Sequence, residues 1–337
     1  MASQDRLGAD LDRAFTALED GRIDDAAECL ERVQKVDGKN PDVVTLAAAV
    51  ADAKGDAETA LGHYRTLAEL RPDDPMPRVC MARILLQDQG DPDGALEAVE
   101  AAFDYIDEEE DLIEAVIVRT EALLALDETE GAQESLAELS SSVIDDPELA
   151  LDLADLALLA EDLDSAKRWI EIARKQPRLE ADALHLLGRI HEAAGDQAAM
   201  VEAWQKVRAL DAKAPAPLVS ISEDELERIA SAALAELPEE VRTKLERAPI
   251  LIDDVPSEDM VAEGLDPRML GVFSGTPMPE GGELAPTVTN IHLFKTNLER
   301  SAQDLDHLAD EIRITVLHES AHYFGLDEEQ LVAIGLD

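Results

Sequence analysis

Apolar residues recur at helical spacing through the first two thirds of the chain, in short blocks broken by Gly, Asp or Pro. The blocks repeat. Turns such as Asp20-Gly21 and Lys54-Gly55 are each followed, a few residues on, by an anchor position. The anchors are Ala26, Ala60, Ala95, Ala132, Ala166 and Met200, at intervals of 34, 35, 37, 34 and 34 residues. Each interval accommodates two amphipathic helices with a turn between them. A small residue at the anchor lets the two helices approach closely. An apolar or aromatic residue four positions later, such as Tyr64 or Trp204, fills the groove. Pro41, Pro72, Pro177 and Pro215 fall near the joints, where a helix must stop. The pattern predicts six helix pairs over about residues 7–214.

This text resembles the tetratricopeptide repeat family. The fit is best in the second and sixth units, where Tyr64 precedes Pro72 and Leu187-Gly188 precedes Trp204. The third and fourth units carry one and three extra residues. The resemblance implies an all-α helical solenoid whose concave surface holds a peptide or a partner protein.

The period stops after residue 214. Ala214-Pro215-Ala216-Pro217 opens a short extended linker that runs to Ser222. Ser222 caps a predicted helix reaching about 236, and Pro238 starts a short second one. Strand-like pieces follow at 250–252, 271–273 and 290–294, separated by Gly- and Pro-rich text at 274–282. A long helix over about 302–324 ends at Gly325, and a short helix over 327–334 closes the sequence. The fold class expected is therefore multidomain: a helical solenoid in residues 1–215, then a small α+β domain in 216–337.

Composition narrows the partners. With 76 acidic and 29 basic residues the formal net charge is −47, so nucleic-acid phosphates and anionic membrane surfaces are repelled. A basic peptide, a basic protein or a cation is the expected partner, beside the plainer reading that the charge serves solubility. Cys29 and Cys80 lie in apolar-periodic helical text and are expected as free thiols. No apolar run approaches the ~18 residues of a membrane span, and the first residues lack a signal peptide's apolar segment. A soluble, cytoplasmic setting is the expectation.

The chemistry is concentrated in His318-Glu319-Ser320-Ala321-His322. Residues four apart share one helix face, so His318 and His322 can present two imidazoles to one zinc ion. Glu319 sits ~100° further round, able to reach a metal-bound water as general base without occupying a coordination position. Gly325 permits a turn, after which Glu328 is the third ligand by spacing, with Asp327 the alternative. Asn290–Lys295 is a candidate for pairing with substrate as an added strand, against the plainer reading as ordinary sheet. His292 and Tyr323 are candidate oxyanion stabilisers, and His307 is too far along the helix to be a ligand. His63, His185 and His191 read as ordinary helix residues.

From about 222 to 331 the chain resembles the bacterial zincin-like (minimal) metallopeptidases. The matching text is Leu237-Pro238, the Leu270-Gly271 to Pro277 segment, Ile291-His292-Leu293-Phe294, and residues 315–331 with their His-Glu-x-x-His-x-x-Gly-x-x-Glu pattern. Many members carry Asp where this chain has Glu328. The resemblance implies a zinc-dependent peptidase, with the repeats as an arm for a protein or peptide. The alternative is a non-catalytic repeat scaffold whose zinc site is structural or vestigial.

Overall fold

The computed structural model describes residues 2–237, 239, 242, 245, 248–276 and 287–323. Its side chains are described for all of these except 2–6, 275–276, 287–289 and 321–323. The predicted helices beginning at Pro238 and covering 327–334, and the loop 277–286, lie outside the described residues.

Ten α-helices run in order through the described residues of the first compact unit, residues 1–176. They are α1 (Ala2–Glu19), α2 (Ile23–Asp37), α3 (Pro41–Ala53), α4 (Ala57–Leu70), α5 (Met76–Gln87), α6 (Pro92–Phe103), α7 (Glu109–Ala125), α8 (Thr129–Ala137), α9 (Pro147–Leu159) and α10 (Leu163–Ala173). Consecutive helices pair as hairpins, as the repeat predicts. The anchors explain why: Ala26, Ala60, Ala95, Ala132 and Ala166 are all 0% exposed, each wedged where two helices touch. Four residues on, Tyr64, Val99, Leu136 and Ile170 are buried too.

Polar chemistry fixes where the second helices begin. Asp56, Asp91 and Asp162 each accept a hydrogen bond from the backbone N–H of the third residue of the following helix, satisfying a donor the helix cannot. Some of the acidity is thus capping. The chain reverses before these caps through a left-handed residue. Gly21, Gly55 and Gly90 occupy that position in the first three hairpins, whereas Asp127 and Glu161 adopt φ 59° in the fourth and fifth. Cys29, in α2, is buried and Cys80, in α5, half-buried; both are free thiols.

The second compact unit, residues 177–337, begins with the sixth hairpin, α11 (Glu180–Ala193) and α12 (Gln197–Asp211). Trp204 takes the groove position in it. A Cβ at Gly188 would stand 2.0 Å from the Trp204 Nε1, so only glycine fits opposite that ring. Then come α13 (Glu223–Glu236), β1 (Ile250–Asp253), α14 (Glu258–Ala262), β2 (Gly271–Thr276), β3 (Thr287–Phe294), α15 (Lys295–Ser301) and α16 (Leu305–Tyr323). Ser222 caps α13 by accepting from Glu225 N–H.

The sheet has the order β1-β3-β2, with β1 parallel and β2 antiparallel to β3. Ile291 and Leu293 of β3 pack into a core with Leu226, Ala230, Ile312 and Val316, which places α13 and α16 on one face. The linker is fastened from beneath. Glu299, 3% exposed, accepts from Ser220 Oγ and Ile221 N–H and pairs with Lys295 at 2.6 Å. Burial pushes its carboxyl up, but the Lys295, Ser220 and Ile221 hydrogen bonds outweigh that and hold it below the ordinary value.

One expectation needs correcting. The strand at 290–294 is the centre of the sheet, hydrogen-bonded on both sides, so it has no edge to offer a substrate strand. Its alternation of apolar and polar residues looks the same in an edge or a half-covered central strand. Among the described residues the antiparallel edge is β2.

Candidate active site

Helix α16 carries the motif. Leu308, Ile312 and Val316, spaced by four, are 0% exposed and anchor the helix to the sheet. Inside the motif Ser320 turns inward and donates its hydroxyl to Val316 O, leaving His318 and Glu319 half-buried. The helical backbone continues unbroken through Tyr323, so position 322 lies one turn, about 6 Å, beyond 318.

Strand β2 runs close beside this helix. A Cβ at Gly271 would meet Thr315 Cγ2 at 2.9 Å and His292 O at 3.1 Å. Glycine at the head of β2 is what allows the strand to approach α16, which gives the Leu270-Gly271 text a steric reason.

The hydrogen-bond register shows which backbone groups β2 leaves on its outer edge. Ile291 N–H donates to Pro249 O on the β1 side and Phe294 N–H to Leu270 O on the β2 side. Amides alternate along a strand, so His292, paired with Val272, also addresses β2. The amides of Gly271 and Phe273 therefore face away from β3. The Phe273 N–H is taken by the Glu319 carboxylate. Burial raises the Glu319 carboxyl above its ordinary value, while neighbouring His318 and the Phe273 N–H pull the other way; burial wins. This contact had no signal in the sequence, because it depends on which strand is the edge.

The other histidines separate cleanly. His292 lies on the sheet face opposite Ile291 and Leu293, its Nδ1 3.2 Å from Asp253 Oδ2 and its ring stacked on Phe294. It stands across the sheet from α16, so it does not serve as the oxyanion stabiliser. His307 receives the Gln303 N–H and lies 3.3 Å from Glu311, near the start of α16. His185 hydrogen-bonds Asp266 in a contact described below.

The His322 and Tyr323 side chains, Asp327 and Glu328 lie outside the described residues. Among the described residues no cluster of three His, Cys, Asp or Glu forms a metal site. The described part of the expected site is His318 with Glu319 beside it. Two histidines one turn apart on an unbroken helix, with the half-buried Glu319 carboxylate beside them free of a ligand role, are the kind of donors that would suit zinc.

Comparison with known proteins bears on both halves. Residues 245–336 match the family model of the zincin-like metallopeptidases, and residues 11–75 match a tetratricopeptide repeat model. The chain thus carries a tetratricopeptide-repeat match near its start and a zincin-like metallopeptidase match over its last quarter. Among solved structures it is similar to PilW, described as a widely conserved type IV pilus biogenesis factor. That match has 18% identity and a TM-score of 0.51, covering 60% of this chain and 92% of that one. It is similar also to PilF of Pseudomonas aeruginosa, at 16% identity and a TM-score of 0.51, covering 62% and 94%. At these identities the likeness is one of fold. No curated protein matches the chain. Among the described residues no helix is long and apolar enough to cross a membrane.

Proposed function

We propose that this protein is a zinc-dependent peptidase. His318, His322 and Glu328 would hold the metal, with Asp327 the alternative third ligand, and Glu319 is the general base. The observation that carries the reading is the Glu319 carboxylate, half-buried beside His318 and against the outer edge of β2. A purely structural metal site has no need of such a group. Zinc in this site would supply a water acidified toward ~7 and polarise the scissile carbonyl. Glu319 takes the proton of the attacking water and delivers it to the leaving amine. The partly apolar surroundings that raise its pKa favour both transfers. The β2 edge, not β3, is where an extended substrate can pair.

The direct test is hydrolysis of peptides by the full chain beside Glu319→Gln. Loss of a general base lowers turnover on the order of 10²–10⁴-fold, with folding and metal content unchanged. Equal turnover in the two proteins contradicts the assignment and leaves the non-catalytic scaffold.

Residues 1–215 are the proposed repeat arm and 216–337 the proposed peptidase text, in a cytoplasmic protein. Tetratricopeptide repeats support protein–protein interaction in general, and the chemistry here favours a basic peptide. Asp52 of α3 and Glu121 of α7 are both raised above the ordinary carboxylate value, first by burial and then by acidic neighbours, Asp88 and Glu114 respectively. Arg83 of α5 offsets both in part and is ion-paired with Glu114. Carboxylates held in this way gain from a cationic ligand.

A further inference from the structure

We propose that Arg268 is a positioning residue for Glu319, and that the sixth helical hairpin is through it a working part of the peptidase unit. The proposal rests on the peptidase reading above and deepens it.

Glu319 is linked to Arg268 through strand β2 and the segment before it. Its carboxylate is held by the Phe273 N–H. Strand β2 begins at Gly271, and the segment 266–270 leading into it is tied at nearly every residue. Asn297, 6% exposed, donates its amide hydrogens to Pro267 O at 2.9 Å and Met269 O at 2.8 Å. Leu270 O accepts from Phe294 N–H at 2.9 Å. The remaining ties run to the hairpin. The Arg268 guanidinium grips Asp211 with two N–H donors, at 2.9 and 3.1 Å, and Asp182 with a third at 2.7 Å. Asp266 accepts from Arg268 N–H at 2.7 Å and faces His185 Nε2 at 2.8 Å.

Asp182 and His185 belong to α11 and Asp211 ends α12, so one loop grips both helices of a repeat. Other contacts join the same surfaces. Arg208 of α12 donates to Pro256 O, and Arg300 of α15 donates to Asp211 O. Val261 of α14, 0% exposed, packs with Leu184, Met200 and Trp204 of the hairpin. A forked guanidinium on a carboxylate fixes direction as well as distance. Arg268 stands five residues before Phe273. Its fork thus sets where the strand that orients the catalytic carboxylate starts.

The test uses the full chain with Arg268→Gln and Arg268→Lys. Two readouts are taken: kcat and KM on a quenched-fluorescent peptide, and amide hydrogen exchange at 268–276. Small displacements of catalytic groups cost turnover more than binding, so Arg268→Gln is expected to lower kcat on the order of 10- to 100-fold with KM little changed. Exchange at Phe273 accelerates, while residues 1–176 exchange as in the wild type. Arg268→Lys, which keeps the charge but cannot fork, falls between. Unchanged kcat and unchanged Phe273 exchange in a folded Arg268→Gln protein overturn the proposal. A wild type that hydrolyses nothing overturns the peptidase reading instead, and the Phe273 exchange still decides whether Arg268 fixes the strand. Should Arg268→Gln not fold, Asp182→Asn removes one acceptor only and is judged by the same two readouts.

Discussion

The fifth hairpin and the sixth are written in the same repeat but do different physical work. In the fifth, Ala166 and Ile170 are both 0% exposed at the anchor and groove positions, and Arg168 lies over the ring of Trp169, 4.8 Å from its centroid. Its side chains are used to complete a repeat. In the sixth, Met200 and Trp204 fill the same positions, but Asp182, His185, Arg208 and Asp211 pair with residues 256–268, some fifty to ninety positions away. Hydrophobic period describes how a hairpin closes on itself. The charged positions between the apolar ones decide what it is fastened to.

Truncating a tryptophan in each hairpin breaks the comparison most sharply. Trp169 and Trp204 are each 2% exposed. Replacing either with alanine is expected to cost about 3–5 kcal/mol. Trp169→Ala should lower the unfolding midpoint of unit 1 and spare peptide hydrolysis, whereas Trp204→Ala should lower that of unit 2 and hydrolysis with it. Two-probe thermal unfolding with an activity assay reads both. Equal loss of activity in the two variants would show that the hairpins are not distinguished in this way.

Acid sharpens the same contrast. Burial pushes the Asp266 carboxyl up, but the His185 and Arg268 contacts prevail and its pKa is lowered. Glu299 is lowered too. A carboxylate lowered in the folded state contributes stability that is present above its unfolded pKa and lost as pH falls through the folded one. Unit 2 should therefore begin to lose stability below about pH 4, before the repeats. Asp52, Glu121 and Asp152 of unit 1 are raised by burial, so protonating them costs unit 1 no stability, and the lowered Asp56 is a fully exposed helix cap. Circular dichroism across an acid titration, with Trp204 fluorescence reporting unit 2 in a Trp169→Phe background, would reveal the order. Simultaneous loss in both units would contradict it.

The smallest effect is local. Glu161 holds φ 59° where Gly21, Gly55 and Gly195 hold 71–72° in other hairpins. A left-handed non-glycine costs roughly 1–2 kcal/mol, and part of the relief is returned as unfolded-chain entropy. Glu161→Gly should stabilise unit 1 by about 0.5–1 kcal/mol, read by urea denaturation.

The repeats were legible because their cause is local: each anchor alanine meets its own hairpin, and each Asp cap lies within three residues of the amide it satisfies. Three strands and the long helix are also legible from short apolar runs, and α13 from its cap at Ser222. What escaped was pairing. The order β1-β3-β2, the outward face of Phe273 N–H and the side of the sheet taken by His292 are relations between distant segments. None changes the alternation within a strand. The grip of Arg268 on Asp182 and Asp211 likewise left no mark, since all three look like ordinary charged surface residues in one dimension.

In the function proposed above, His318, His322 and a carboxylate after Gly325 would hold one zinc ion beside Glu319. Metal content by mass spectrometry, on the full chain and on His318→Ala and Glu328→Ala, tests it most directly. One zinc per wild-type chain is expected, lost from His318→Ala and lost or much weakened in Glu328→Ala. A folded wild type that takes up no zinc when it is offered would rule out this site and leave the repeats as the functional part.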